Sequence, residues 1–339
     1  MSAYIALVLA SGRVALPEFG RLLLFYLTAS FSLWAVIGAG VFIAALARSA
    51  HRSGREPFLA AFLRGSLGAR WERDRCVSLL WPPLLFALLL TSFNAFKQMI
   101  LPLAGFRFDP AFTALDRALF GGVDPWRITH ALLGSPTATD LVDKAYHGWF
   151  VPMSVGLVAC AFLPAATYRL RTQYTLTYIG VWIGIGSVLA FLLPAAGPCF
   201  TSALVGSSPS FDALHGRLLA TEAATGSPLA ALRNQAMLLE AIGSDRLRVG
   251  GGISAMPSVH NALAVLFALA AFRLNRAAGW VLAAYAVLIW IGSVHLGWHY
   301  AIDGLAAAAL TVGLWIAAGR LSDRLERPLL AATPQPATA

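Results

Sequence analysis

Apolar stretches close to twenty residues long recur seven times along this chain, and no other feature limits its fold so sharply. A helix of about 20 residues crosses the ~30 Å hydrocarbon core of a bilayer. Inside lipid, only helices and closed barrels satisfy their own backbone polar groups. The stretches cover residues 22–47, 77–96, 145–164, 175–194, 259–272, 279–298 and 300–318, the fifth being short. Residues 1–10 are too short to span, and no small-residue cleavage site follows them. Composition agrees: 58% of the 339 residues are hydrophobic and 12% charged, against about 45–50% and about 25% in soluble domains. A water-soluble globule of this composition would run out of polar side chains for its surface. The expectation is an all-α integral membrane protein of about seven transmembrane helices. Disorder, coiled coil and a nucleic-acid partner bound through basic tails are excluded.

The formal charge of +9 follows a membrane logic. Arg48, Arg52, Arg55, Arg64, Arg70, Arg73 and Arg75 crowd the first loop, where they also suit lipid headgroups. Arg169 and Arg171, Arg273 and Arg276, and Arg320, Arg324 and Arg327 occupy later loops on the same face. The positive-inside rule places that face in the cytoplasm. The amino terminus and two long loops, residues 97–144 and 195–258, then lie outside.

Cys76, Cys160 and Cys199 fall at an inner boundary, within a span and in an outer loop, so no disulfide framework is expected. Residues 108–120 carry apolar side chains at helical spacing and read as an amphipathic helix on the outer interface. Residues 331–339, rich in Ala, Pro and Thr, read as disordered. The chain divides on this reading into an N-terminal span with its Arg-rich loop (1–76), a membrane domain (77–320) and a disordered tail (321–339).

Ionisable groups at membrane depth are expensive and mark function by default. His295, His299 and Asp303 cluster between the last two spans. His299 and Asp303 are four apart, one helical turn, so the carboxylate can fix the imidazole tautomer and leave the other nitrogen nucleophilic. The same spacing suits a buried pair that only ties two helices together. A second group, Pro257-Ser258-Val259-His260, reads as a helix start, a natural anion site. The glycine run 250–252 before it allows close backbone approach to a ligand. Topology puts both groups on the outer face.

Together these residues resemble the type 2 phosphatidic acid phosphatase superfamily, whose second motif reads P-S-x-H and whose third ends H-x3-D. The H-Y-x2-D form at His299-Tyr300-Ala301-Ile302-Asp303, with the strings at 115–126 and 194–198, is similar to the inositol phosphorylceramide synthase branch. The resemblance covers roughly residues 80–318. It implies a six-helix phosphatase-type bundle with one extra N-terminal span, in a bacterial inner membrane with the site facing the periplasm. It further implies that His299 is a nucleophile forming phosphohistidine, Asp303 its orienter and His260 the acid for the leaving oxygen. Ser258 and nearby N–H groups would hold phosphate oxygens of a lipid phosphate or phospholipid, among membrane lipids, with no metal or cofactor.

Two motif cations are missing. The first motif, K-x6-R-P, has Val151 where its arginine belongs, after Lys144, and Ser293 occupies the third motif's arginine position. Candidates to bind phosphate instead are Ser293 itself, His295, Arg246, Arg248, Lys97 and Arg117. His147 reads as part of an interfacial Tyr/His/Trp belt, and His51, His130 and His215 as loop residues. Phosphatase and headgroup transferase differ only in the acceptor. A different class stays open: His295, His299 and Asp303 as metal or haem ligands, or as a proton relay in a transporter.

Overall fold

The computed structural model describes residues 1–52, 73–159, 168–244 and 246–331, and every regular element among them is helical. Five helices are long and apolar enough to cross a membrane. These are α2 (Leu16–Arg52), α3 (Arg73–Ala104), α8 (Tyr168–Gly180, continuing through a π-helical stretch Val181–Leu189 to Leu192), α12 (Arg276–His295) and α13 (Ala301–Ala331). α11 (Val259–Leu274) is apolar but shorter. Its 16 residues make about 24 Å, less than a hydrocarbon core. α7 (Phe150–Ala159) begins after a break at Gly148–Trp149, so the span expected from residue 145 starts later.

The side chains of the first-loop arginines, His51, Cys76 and Cys160 lie outside the described residues. α13 runs on to Ala331, so residues 321–331 are helical where a tail was expected. The expected division at residue 76 falls inside α3.

α11 is the central helix. α12, α13, α8 and α7 all pack on it, and Ala262, Leu263, Ala264, Leu266, Phe267 and Ala268 are buried in its contacts. The many alanines let neighbouring backbones approach closely, as membrane helices require when lipid is as apolar as their own side chains. α2 lies at the edge against α3 and α7. The short α1 (Ser2–Ala10) packs on α3, with Tyr4 donating to or accepting from Ser187 at 2.6 Å.

The two expected outer loops are largely helical. Between α3 and α7 come α4 (Asp109–Leu119), α5 (Pro125–Leu133) and α6 (Pro136–His147); between α8 and α11 come α9 (Pro209–Thr225) and α10 (Ala230–Glu240). Buried aspartates knit this layer to the bundle. Asp109 accepts the N–H groups of Ala196 and Gly197 (2.9 and 2.8 Å) and the Tyr300 hydroxyl (2.8 Å). Asp143 accepts those of Ala230 and Ala231 at the start of α10 (2.7 and 2.9 Å). Asp116 accepts those of Ala301 and Ile302 at the start of α13 (2.7 and 2.9 Å). Each carboxylate thus serves paired donors left over at a helix start or turn.

Candidate active site

α11 starts because Ser258 caps it, its Oγ accepting from the Asn261 backbone N–H (3.3 Å) and side-chain amide (2.9 Å). That places His260 in the first turn. Its ring lies 4.3 Å from the Trp149 ring, edge-on, and is stacked at 5.5 Å on Tyr146.

The second histidine comes from the connection between α12 and α13. α12 ends at His295, and Gly297 turns the chain with φ +76°, a left-handed conformation that suits glycine. The N–H groups of Trp298 and His299 then both donate to the Ser293 carbonyl (2.9 and 3.1 Å). Asp116 sets where α13 begins, and with it Asp303 in the first turn. Burial pushes the Asp116 carboxyl up to about 6, against the pull of its two N–H donors.

His299 Nδ1 lies 2.8 Å from the Ala255 carbonyl and 3.3 Å from Asp303 Oδ2. Both partners are acceptors, so Nδ1 carries the proton and donates, which leaves the lone pair on Nε2. Nε2 is 3.4 Å from His260 Nδ1. Asp303 is fully buried and also accepts from the Tyr300 N–H (3.0 Å). One face of the imidazole pair is thus anchored, and the other opens into a cavity of about 670 Å³.

His260, His299 and Asp303 are brought together. The expected phosphate ligands mostly are not. Ser258 is fully buried, and its oxygen serves the α11 cap and Asn261 rather than the cavity. Ser293 is buried between α11 and α12, bonded to Asn261 (3.4 Å) and the Trp290 carbonyl (2.7 Å). His295 faces away: its ring stacks on His130 at 3.8 Å and bonds Thr139 (3.0 Å) and Thr129 (3.2 Å). It therefore joins neither His299 nor a shared ligand set, and among the described residues no group of three His, Cys, Asp or Glu could hold a metal. Arg117 is paired with Asp124 at 2.6 and 3.0 Å. Burial would raise Asp124, but Arg117 and the Ser210 hydroxyl hold it below the usual carboxylate range. Arg246 and Arg248 are exposed beside the cavity without lining it.

Lys97 does line it, and so does Arg233 of α10; no Asp or Glu does among the described residues. Arg233 was missed because its loop was not read as helix, although Ala231, Leu232, Gln235 and Leu238 form a buried helical face. His147 lines the cavity as well, from the same segment as Tyr146 and Trp149. His130 is no loop residue. It is buried in α5, donating from Nε2 to the His295 carbonyl (2.9 Å), and burial lowers its proton affinity. His215 lies in α9.

A histidine pair at one end of a membrane-helix bundle, one member tied to a buried carboxylate, above a cavity whose charged lining is cationic, defines a site for an anionic group. The PAP2 superfamily model matches residues 110–317, and the chain belongs to that superfamily of phosphatase- and phosphotransferase-type membrane proteins. No curated protein and no solved structure matches it.

Proposed function

We propose that the protein transfers a phosphoryl group of a lipid substrate through a phosphohistidine on His299. The observation that carries this is the disposition of the His299 ring: Nδ1 held by Ala255 and Asp303, Nε2 facing His260 in the open cavity. In the first step the Nε2 lone pair attacks phosphorus as the bond to the leaving oxygen breaks. Protonated His260 gives its proton to that oxygen, and Asp303 stabilises the positive charge on the His299 ring. In the second step His260 takes a proton from the acceptor, whose oxygen attacks phosphorus and releases His299. Lys97 and Arg233 stand in for the missing motif cations. No protein-bound metal is needed, because these charges face the phosphate.

The H-Y-x2-D form at His299 to Asp303 and the strings at 115–126 and 194–198 favour an alcohol acceptor, so that a headgroup moves between lipids. A purified preparation given a radiolabelled lipid phosphate and phospholipid donors tests both levels. Labelled protein lost in His299→Ala supports the intermediate. Label passing to an added alcohol in preference to water supports transfer. Full labelling of the alanine variant rejects the mechanism.

A further inference from the structure

The cavity at His260 and His299 is graded along its length. Lys97, His147, Arg233 and Asn234 are the polar and cationic part of its lining, whereas Phe25, Ala29, Phe86, Leu90, Met153 and Trp182 are apolar. Along α3 the lining passes from Phe86 and Leu90 through Phe93 and Asn94 to Lys97, and the eleven positions that separate Phe86 from Lys97 cover about 16 Å of helix axis. The apolar part is therefore deep enough for an extended chain and continuous with the place where a phosphate would sit.

One wall of it is α2, which lies outside the stretch that matches the family. α2 is mostly exposed, as a peripheral membrane helix would be, yet it is pinned at defined points. Glu18 Oε2 accepts from the Leu247 N–H (3.0 Å), and Arg21 donates to the Leu247 carbonyl (2.5 Å). The Tyr26 hydroxyl accepts from Asn94 of α3 (2.8 Å). Asn94 in turn accepts from Gln98 (2.9 Å), which holds the Arg248 backbone from both sides, accepting its N–H (3.2 Å) and donating to its carbonyl (3.3 Å). At Gly252 an added Cβ would meet the α3 backbone at Lys97 at 2.7 Å, so this turn sits directly on the helix. These bonds fix the α2 face carrying Phe25 and Ala29 against the cavity, one helical turn apart.

We propose that α2 and α3 form the compartment for the substrate's hydrocarbon chain, and that Ala29 limits the chain length admitted. The identity of the group at the polar end rests on the phosphotransfer reading; the chain compartment does not. The occupant is a chain joined to the phosphate, because the apolar residues and the cationic residues line the same cavity as His260 and His299. A small residue on this wall leaves room that a larger one would fill.

The test is binding of n-alkyl phosphonates, ethyl to hexadecyl, to the purified full chain by titration calorimetry. Wild type is expected to bind more tightly as the chain lengthens and then to level off. Ala29→Trp should level off at a shorter chain, weakening the long members by about tenfold while leaving ethyl phosphonate unchanged. Phe25→Ala, which removes bulk from the same wall, should move the limit towards longer chains, and Ala29→Leu gives a milder block if the tryptophan folds poorly. A flat series in wild type, an equal loss at every length, or no effect of any variant overturns the proposal. Turnover is not measured, so failure of the phosphohistidine mechanism leaves this result readable.

Discussion

His299 Nε2 stands 3.4 Å from His260 Nδ1, although one residue comes from the α12–α13 connection and the other from the first turn of α11, 39 positions apart in sequence. The Nδ1 edge of His299 is already occupied by Ala255 and Asp303. Of the two rings, His299 is thus the one whose Nδ1 is held and whose Nε2 lone pair is left free. The proposed mechanism therefore gives His299 the nucleophile's role and His260, packed against Trp149 and Tyr146, the proton transfer.

This asymmetry separates two variants. His299→Ala should abolish turnover and covalent labelling. His260→Ala should lose about 10²–10⁴-fold with a poor leaving alkoxide, the usual span of acid–base assistance. With an activated aryl phosphate, whose leaving group needs little protonation, it should still form the intermediate and accumulate it. Quantifying acid-labile, alkali-stable label on each variant checks this, and label found on His260 would reverse the roles.

On the proposed mechanism Asp303 acts through His299, whose Nδ1 it contacts at 3.3 Å. Asp303→Asn should lower kcat by at least about 10²-fold, because an amide can present its N–H to Nδ1 and favour the wrong tautomer. Ethyl phosphonate binding should stay within about twofold, since Asp303 does not line the cavity. A KM effect without a kcat effect would place Asp303 in binding instead.

Lys97 and the loop arginines should part company. Lys97→Ala is expected to raise KM or lower kcat/KM by about 10- to 100-fold, the scale of a charged hydrogen bond lost in a site. Arg248→Ala and Arg117→Ala should change it by less than about threefold, because an exposed charge contributes little. Steady-state kinetics on the three variants decides between them.

Asp116→Ala removes the acceptor for two N–H groups that open α13. The expected loss is about 2–3 kcal/mol of stability, with activity falling alongside because the His299–Asp303 segment loses its anchor. Thermal unfolding with and without an alkyl phosphonate would measure both.

The stacked pair His130 and His295 should make stability depend on pH. Burial lowers the folded-state proton affinity of His130, so the unfolded chain binds the proton more readily. Its contribution is therefore complete above the ordinary histidine value of about 6.5 and is lost as pH falls below it. Unfolding midpoints across that range should drop on the acid side, and His130→Gln should flatten the slope. An unchanged slope would remove His130 from the account.

How the sequence misread His295 is instructive. It stands four residues before His299, and a continuous helix would have stacked the two. α12 stops at His295, however, and the left-handed turn at Gly297 resets the direction of the chain, so the periodicity carries no information across it. Ser258 was legible as part of a helix start, but whether its hydroxyl faced a ligand or the α11 backbone depended on the cap geometry. Arg117 lies seven residues from Asp124, a pairing that the α4–α5 turn creates and no helical spacing announces. The start of α10 was hidden because its first N–H groups are satisfied by Asp143, 87 and 88 positions away in the sequence.

The membrane character of the chain, most of its long helices and the trio His260, His299 and Asp303 were determined by the sequence alone. Each depends on local properties: stretches long enough to cross lipid, a capped helix start, and an i, i+4 pair within one turn. Which cations reach the cavity, and what walls it, were decided only by tertiary structure. Lys97, Arg233, Phe25, Ala29 and the glycine turn come from separate parts of the chain and share a surface only after the helices pack. Periodicity reports which face of a helix is apolar. It cannot report which other helix that face will meet, because that choice is made by shape and by hydrogen bonds between segments far apart in the chain.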